Sequence, residues 1–413
     1  MISRSRICPL VVALGLVGCA SEEGGPADPS GMGGAPPATG VGGQVAALGG
    51  ASNVSGGGSV ASTGTDDTSP KGGASAASGM KPTGGTSSAG GGAAGGAPSS
   101  GGSQAGGATS TGTNQTSPHI KFVGNITTDG GQVDVGNLKY KDYWNQVSPQ
   151  NEGKWGSVSR AAGQYNWSAL DTLYKYSKDN NIIFKEHTFV WGAQQPNYNI
   201  TETDVKDWMT QFCKRYPDVA IIDVVNEPPP HTTPSYANAI GGGTNGNWAW
   251  ITNAFKWART ACPKAILVLN DYNNIEWDGD NKHFIDIVNT VKSNGGPIDA
   301  IGCQSHDLDH TNNSGAIDVD VAGVTKRLNA LIAAVPNIYI TELDLSTKDD
   351  ALQLKLYQDY WPLFWNNANV KGITIWGWVV GRTWNLAPDS GLITSTGTKR
   401  PAFTWLLQQM GKG

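Results

Sequence analysis

Two glutamates are placed where a pair of acidic catalysts could work together. Glu227 follows the β-rich run 223–226 and precedes a proline, and Glu342 ends the β-rich run 338–342. Retaining hydrolysis of a glycosidic bond needs two carboxyl groups about 5–5.5 Å apart. One attacks the anomeric carbon as a carboxylate, and the other protonates the leaving oxygen and later takes a proton from water. The sequence therefore predicts cleavage of a sugar chain, with Glu227 as acid/base and Glu342 as nucleophile.

These two roles require different pKa values, because Glu227 must keep its proton near neutral pH while Glu342 stays ionised. His306 follows another apolar run and is expected to hydrogen-bond Glu342. Asn226, directly before the acid, is expected to reach the sugar 2-hydroxyl, a contact that strengthens in the transition state of glycoside hydrolysis.

The elements that must position these residues are eight short apolar runs separated by segments with helical periodicity. The predicted strands are 121–125, 144–148, 182–187, 220–226, 266–270, 300–304, 338–342 and 372–376. The predicted helices are 170–180, 203–216, 248–262, 283–294, 321–334 and 352–366. Repeated β-then-α units of this length predict the α/β class and a (β/α)8 TIM barrel. Most strands end in polar residues, which indicates an active site at the rim formed by the strands' carboxyl ends.

The composition separates this barrel from a long polar segment before it. Residues 24–117 contain no Phe, Trp or Tyr but hold 29 of the 56 glycines, whereas all 15 tryptophans lie between Trp144 and Trp405. Such a segment cannot bury enough apolar surface to offset its chain entropy. We therefore expect a signal peptide over 1–18, a disordered Gly/Ser/Ala/Thr-rich tether over 19–117 and one catalytic domain over 118–413.

The N-terminus has the features of an export signal. Arg4 and Arg6 precede the short apolar run 7–17, which is too short to span a bilayer as a stable helix. Gly18-Cys19 then resembles a bacterial lipobox, in which the Cys19 thiol carries lipid. The alternative is an ordinary signal peptide with an incidental cysteine. We expect an exported lipoprotein at the outer membrane or cell surface, or a secreted protein, with membrane contact only through the lipid.

The remaining cysteines and the charge exclude other classes of site. Cys213 and Cys262 each lie near the end of a predicted helix and could form a disulfide in an oxidising compartment, while Cys303 lies within a strand and is expected to be free. No CxxC or His-rich spacing suggests a metal, and no cofactor is expected. The net charge is −5, so the sequence lacks the basic character that nucleic-acid binding requires. The expected partner is a polysaccharide, bound by a monomer.

Taken together, residues 119–410 resemble glycoside hydrolase family 10, the endo-β-1,4-xylanases. The motifs that carry the resemblance occur in family order and are 149–155 (PQNEGKW), 187–191 (HTFVW), 225–228 (VNEP), 270–273 (NDYN), 301–306 (IGCQSH), 340–344 (ITELD) and 376–384 (WGWVVGRTW). The resemblance implies a barrel with the proton donor after strand four and the nucleophile after strand seven. It assigns these roles to Glu227 and Glu342. It further implies that the sugar-binding residues are Asn151, Lys154, His187, Trp191, Asn226, Gln304, His306, Trp376 and Trp384.

Three departures from the family pattern concern the glycone side of the site. Gln150 replaces a usual Glu, Gly192 replaces a usual His, and the loop after Trp376 carries Trp378 and Arg382. We expect all of them near the glycone pocket, with Gly192 opening space there. The principal hypothesis is thus a retaining endo-β-1,4-xylanase. The alternatives are a relative acting on another or decorated β-linked glycan, and a non-catalytic surface glycan-binding lipoprotein.

Overall fold

The computed structural model describes residues 121–413, which contain ten β-strands and nine α-helices. The signal peptide, Cys19 and the tether predicted over 1–117 lie outside the described residues. The strands are β1 (Phe122–Ile126), β2 (Gln146–Ser148), β3 (Ser159–Ala161), β4 (Gln164–Tyr165), β5 (Ile183–Trp191), β6 (Ile221–Asn226), β7 (Ile266–Asp271), β8 (Ala300–Cys303), β9 (Ile338–Leu343) and β10 (Val370–Ile375).

Eight of these strands close a parallel barrel in the order β1-β10-β9-β8-β7-β6-β5-β2. Each of the eight overlaps one predicted strand, so the predicted (β/α)8 fold is confirmed. Strands β3 and β4 form a separate antiparallel hairpin that the periodicity did not predict. In the barrel, β6 is the fourth strand and β9 the seventh, as expected for the strands that carry Glu227 and Glu342.

The helices pack around the barrel and return the chain to its amino-terminal face. They are α1 (Tyr140–Tyr143), α2 (Trp155–Val158), α3 (Ser168–Asp179), α4 (Glu202–Arg215), α5 (Ala249–Ala261), α6 (Asp278–Ser293), α7 (Val321–Ala334), α8 (Asp350–Trp365) and α9 (Pro401–Gln409). The six predicted helices correspond to α3 through α8 within a few residues at each end. No helix within residues 121–413 is long and apolar enough to cross a membrane.

Side chains at the amino-terminal ends of several helices hydrogen-bond the first turn and define where the helix begins. Thr201 and Asp204 form a capping box at α4, in which each side chain accepts a hydrogen bond from the other residue's backbone N–H. Asp320 caps α7, and Asp349 accepts from two backbone N–H groups at the start of α8. These caps satisfy amide donors that the first helical turn leaves unpaired.

The barrel interior changes from apolar to polar along the strand direction. The lower layer consists of six buried residues: Phe122, Ile183, Ile221, Val268, Ala300 and Tyr339. Two residues farther along their strands, Lys185 and Asp223 are fully buried and form an ion pair. The strand ends then deliver polar side chains to the rim, because alternate residues of a strand face the same side.

A disulfide joins the outer layer beside β6. Cys213 in α4 and Cys262 after α5 are bonded across a Cα–Cα distance of 5.4 Å. Cys303 is a free, buried thiol within β8. The disulfide therefore ties two neighbouring helices that flank the strand leading to Glu227.

Candidate active site

The chain turn after β6 aims Glu227 at the centre of the rim. Glu227 adopts a left-handed backbone conformation with φ of 49°, and its N–H donates to the Asn270 carbonyl at 2.8 Å. Such a conformation is costly for a residue with a Cβ and is concentrated at functional sites. Glu342 lies within β9 and is 4% exposed. Both carboxyl groups thus reach the carboxyl-terminal rim, as predicted.

Glu342 lies among donors and positive charges. Its Oε1 accepts from Asn270 Nδ2 at 2.8 Å and lies 3.7 Å from His187 Nδ1, while its Oε2 lies 3.5 Å from His306 Nε2. Burial alone would raise the pKa of Glu342, but the charge of His187 and the hydrogen bond and charge of His306, with a contribution from Lys185, lower that pKa to about 2. The carboxyl is therefore ionised at neutral pH, as a nucleophile requires.

Glu227 lies among neutral donors instead. Trp191 Nε1 donates to its Oε2 at 2.7 Å, and Gln304 Nε2 donates to its Oε1 at 3.3 Å. Burial and the nearby charge of Glu342 raise the pKa of Glu227, and these two hydrogen bonds and the charge of His306 oppose that rise only in part. The two carboxyls are thus shifted in opposite directions, which is the property that separates an acid from a nucleophile.

Asn226 connects the two carboxyls through a short hydrogen-bond chain. Its Oδ1 accepts from Asn270 Nδ2 at 2.7 Å and from Gln304 Nε2 at 3.1 Å, and these same amides contact Glu342 and Glu227. Its Nδ2 is buried and has no partner among residues 121–413. An unpaired buried donor is costly unless a ligand satisfies it, so this amide is available to a sugar hydroxyl.

His306 has a second, closer carboxylate partner. Its Nδ1 lies 2.7 Å from Asp344 Oδ1, and Trp384 Nε1 donates to Asp344 Oδ2 at 2.7 Å. Burial disfavours the charged imidazole, yet the Asp344 charge and the contacts to Asp344 and Glu342 raise the pKa of His306 well above its usual value. His306 thus approaches Glu342 as an ion-pair partner at 3.5 Å, longer than the predicted hydrogen bond, and the closer Asp344 orients the ring.

Lys154 and its partners form the wall on the side where the resemblance places the glycone. Lys154 Nζ donates to Asn151 Oδ1 at 3.0 Å and to Gln194 Oε1 at 2.7 Å, and lies 4.9 Å from the centre of the Trp191 ring. Burial lowers the pKa of Lys154 to about 8, and the charges of Glu342 and Glu227 oppose the shift. The charge of the lysine therefore interacts with the charges of both catalytic carboxyls.

His187 and Trp376 complete the predicted set. The His187 ring lies edge-on to the Trp376 ring at 5.2 Å between centres, and its Nδ1 is 3.0 Å from Asp223 Oδ2. Trp376 is 3% exposed. The structure thus brings every residue of the predicted site to one rim, with Trp384 reaching it through Asp344.

Two expectations about the glycone side are wrong. Gly192 opens no space, because a Cβ there would lie 2.8 Å from both Thr232 Cβ and the Thr233 nitrogen. Trp378 does not line the site: it is fully buried, its ring packs against Trp144, and its Nε1 donates to the Val133 carbonyl. Thr232 and Thr233 belong to the loop after the neighbouring strand β6, and that loop occupies the space beside Gly192.

Other residues at the rim were not assigned by the sequence. Asn270 is the penultimate residue of β7 and donates to both Asn226 and Glu342, so the polar end of this strand was the signal that could have identified it. His231 stacks on Tyr272 with ring centres 3.7 Å apart and lies 2.7 Å from Asp271. Although burial disfavours its charge, Asp271 and Asp280 raise the pKa of His231 to about 10.

One buried trio has the geometry of a metal site. His187, Asp223 and Glu342 offer ligand atoms that all lie within 4.8 Å of one another. However, the ammonium of Lys185 contacts the same Asp223 oxygen that faces His187. A positive charge therefore already lies beside the carboxylate, and we assign these residues to positioning rather than to metal binding.

Comparison with known proteins gives consistent matches to one family. The profile of glycosyl hydrolase family 10 matches residues 118–409. Endo-1,4-β-xylanase B of Cellvibrio japonicus is 43% identical over 295 residues, which cover 70% of this chain and 45% of that protein. Endo-1,4-β-xylanase B of Thermotoga neapolitana is 28% identical over 263 residues, covering 59% of this chain and 72% of that protein.

The solved structures show the same fold. Xylanase 10B from Thermotoga petrophila RKU-1, in complex with xylobiose, superimposes with a TM-score of 0.60 at 22% identity, and the match covers 71% of this chain and 95% of that one. The chain spans less than half the length of the Cellvibrio relative.

Proposed function

The chain belongs to glycosyl hydrolase family 10, and we propose that it is a retaining endo-β-1,4-xylanase that cleaves internal bonds of xylan. The observation that carries the proposal is the placement of two carboxyls at one barrel rim among different partners. The buried Glu342 accepts from Asn270 and faces His306, and the half-buried Glu227 accepts from Trp191 and Gln304. These surroundings shift the two pKa values in opposite directions. The relatives named as endo-1,4-β-xylanases support the substrate.

In the first step, the ionised Glu342 attacks the anomeric carbon while Glu227 donates its proton to the leaving oxygen. The carboxylate of Glu342 is held by Asn270 and faces His306, so it is oriented before the substrate arrives. The free Nδ2 of Asn226 is available to the 2-hydroxyl of the sugar being attacked. That contact strengthens as the transition state forms and contributes to rate rather than to ground-state binding.

In the second step, water attacks the glycosyl ester and Glu227 takes its proton. Formation of the ester removes the charge of Glu342, which is one of the causes that raise the pKa of Glu227. The pKa of Glu227 therefore falls when the intermediate forms, and the residue can act as a base. The charge of Glu342 therefore helps Glu227 to keep its proton before the first step, and the loss of that charge helps Glu227 to accept a proton in the second step.

The mechanism is tested by replacing the nucleophile and by following product stereochemistry. Glu342→Ala should abolish hydrolysis of xylan but leave oligosaccharide binding measurable by calorimetry. The matched control is Glu202→Ala, since Glu202 is an exposed glutamate in α4. NMR of the first products should show the β-anomer; turnover by Glu342→Ala, or initial α-anomer, contradicts the proposal.

A second candidate is activity on another or decorated β-linked glycan. Gln150 is 8% exposed and stands where the family usually has a charged glutamate, so the glycone side loses a negative charge. Parallel assays on xylan, arabinoxylan, mixed-linkage glucan and cellulose separate the two candidates. A glycan-binding protein without turnover is the third candidate, and it predicts that wild type and Glu342→Ala behave alike.

We propose that the chain is exported and lipidated on Cys19, followed by a flexible tether. The Gly18-Cys19 pair after an apolar run supports this, and the disulfide between Cys213 and Cys262 fits an oxidising compartment. Labelling of cells with a radioactive fatty acid should mark the wild type but not Cys19→Ser, which should be released from membranes. Equal labelling of the two would contradict lipidation at this position.

We also propose that the catalytic domain acts as a monomer. Both acidic residues and the sugar-facing groups lie on one chain, so the catalytic pair needs no second subunit. Light scattering of the purified domain should give the mass of a single chain at working concentrations.

A further inference from the structure

Thr232 lies in the loop after β6 and holds the backbone of Glu227. Its N–H donates to the Glu227 carbonyl at 3.0 Å, and its Oγ1 donates to the same carbonyl at 2.6 Å. On the other side, the Glu227 N–H donates to the Asn270 carbonyl at 2.8 Å. Both backbone polar groups of Glu227 are therefore engaged, and Thr232 engages the carbonyl twice.

Glu227 needs such a hold because of its backbone conformation. Its φ of 49° lies in the left-handed region, which is costly for a residue with a Cβ and persists only where the surroundings impose it. The backbone angles set the direction in which the Cβ leaves the strand end. The contacts that hold them therefore also direct the carboxyl towards Trp191 and Gln304, its two hydrogen-bond donors.

Thr232 in turn lies against Gly192, the residue that follows β5. The Gly192 N–H donates to Thr232 Oγ1 at 3.4 Å. A Cβ at position 192 would lie 2.8 Å from Thr232 Cβ and 2.9 Å from Thr232 Oγ1, closer than packed side chains approach one another. The glycine therefore allows Thr232 to reach the Glu227 carbonyl. The residue before it, Trp191, contacts the carboxyl of the same glutamate.

His231 fixes the same loop to the barrel on the side of β7. Its N–H donates to the Pro228 carbonyl at 3.1 Å, and its Nδ1 lies 2.7 Å from Asp271 Oδ1. The same carboxylate oxygen accepts from the Tyr272 N–H at 3.0 Å. Asp271 is buried and belongs to β7, so the loop is held from β5 on one side and from β7 on the other.

We propose that Thr232, packed on Gly192, is a positioning residue for the acid/base Glu227. It acts through the backbone of Glu227, whose left-handed turn it holds while the proton is transferred to the leaving oxygen. The inference rests on the proposed function, because it requires Glu227 to be the proton donor. It also gives the departure at position 192 a role, since the space of a side chain there is used by the hydroxyl that holds the acid.

The dependence of the rate on the leaving group separates the positioning of an acid from general damage to the protein. The proton from Glu227 matters more as the leaving oxygen becomes more basic. Dinitrophenolate leaves without a proton, whereas methoxyphenolate and a sugar alkoxide need one. The measurement is kcat/KM on dinitrophenyl β-xylobioside, methoxyphenyl β-xylobioside and xylohexaose, because kcat/KM starts from the free enzyme and includes the acid-catalysed step.

Thr232→Val removes the hydroxyl at nearly constant shape, and Thr232→Ser restores it. Thr325→Val is the matched control, because Thr325 is also half-buried and its Oγ1 also donates to a backbone carbonyl at 2.6 Å, in the outer helix α7. Gly192→Ala reaches the same contact from the glycine side, since its methyl group would displace Thr232. This variant carries the test if Thr232→Val does not fold.

Thr232→Val should lower kcat/KM about tenfold on methoxyphenyl β-xylobioside and on xylohexaose, a part of the ~10²–10⁴-fold that a well-placed general acid contributes. On dinitrophenyl β-xylobioside its kcat/KM should equal that of the wild type. Gly192→Ala should show the same pattern as Thr232→Val. Thr232→Ser and Thr325→Val should resemble the wild type on all three substrates.

Equal kcat/KM of wild type, Thr232→Val and Gly192→Ala on all three substrates would overturn the role of Thr232 alone. An equal loss on dinitrophenyl β-xylobioside would also overturn it, because that substrate needs no proton in the first step. So would a Thr232→Ser enzyme as slow as Thr232→Val, because the hydroxyl would then not be the group that holds Glu227. Wild type that hydrolyses none of the three substrates would instead overturn the proposed function and, with it, this inference.

Discussion

The buried ion pair beneath the active site should contribute strongly to stability. Lys185 and Asp223 are fully buried, and the ammonium contacts Asp223 Oδ2. Asp223 is also the partner of His187, at 3.0 Å. Asp223→Asn keeps the shape of the side chain but removes the carboxylate that the buried Lys185 ammonium contacts. Breaking one side of a buried ion pair typically costs ~3–5 kcal/mol.

That cost is a large share of the ~5–15 kcal/mol by which domains are stable. For a domain of this size, each kcal/mol lowers the melting temperature by roughly 2–4 °C, so Asp223→Asn should melt roughly 6–20 °C below the wild type. Thermal unfolding followed by circular dichroism, with urea unfolding for the free energy, measures the change. Lys185→Met should be destabilised as well, because it leaves the Asp223 carboxylate buried with only His187 opposite.

The double variant Lys185→Met/Asp223→Asn is the decisive measurement. Removing both charges eliminates the uncompensated charge in each single variant, so the double variant should lose at least about 2 kcal/mol less than the sum of the two. Additive losses would refute the reasoning, because they would mean that the two side chains act independently despite their contact. A single variant as stable as the wild type would refute it equally.

Three further outcomes follow from individual contacts. Trp191→Phe removes the N–H that stabilises the Glu227 carboxylate, so the pKa of Glu227 should rise. In a pH profile of kcat/KM, the decline on the alkaline side should therefore move to higher pH. A decline at the same or a lower pH than in the wild type would contradict this. Replacing Cys213 and Cys262 with Ser should cost about 4 kcal/mol of unfolding free energy, since their bond closes a loop with a sequence separation of 49. Arg400→Leu deprives three backbone carbonyls of their donor and should cost about 3 kcal/mol, as measured by urea unfolding.

The sequence predicted the barrel because its strands differ sharply from their surroundings. Each of the eight runs contains a β-branched residue, and most of them end in polar residues because the carboxyl ends of the strands form the site. The hairpin of β3 (Ser159–Ala161) and β4 (Gln164–Tyr165) escaped prediction because strands of two or three residues carry no measurable periodicity. Helix α9 was not assigned either, although Pro401 at its first position is a recognised start signal.

The parts of the site that escaped prediction depend on contacts between distant segments. The space beside Gly192 is filled by Thr232, which lies 40 residues along the chain, at 3.4 Å from the Gly192 nitrogen to Thr232 Oγ1. The partner of His306 is Asp344, 38 residues later. Such pairings follow from how the rim loops fold over one another, and a single sequence contains no direct signal of them.

The different catalytic roles of Glu342 as nucleophile and Glu227 as acid/base follow from the surroundings of the two carboxyl groups. Glu342 is surrounded by groups that carry or can carry positive charge, namely His187 and His306, with Lys185 beneath. Glu227 accepts hydrogen bonds only from the uncharged donors Trp191 and Gln304. Burial and the negative charge of Glu342 raise its pKa by more than these bonds and the charge of His306 lower it. Exchanging the roles would require Glu227 to ionise beside a carboxylate and Glu342 to take a proton beside two imidazoles, and both changes are unfavourable. The asymmetry of the rim therefore determines which residue attacks and which residue donates the proton.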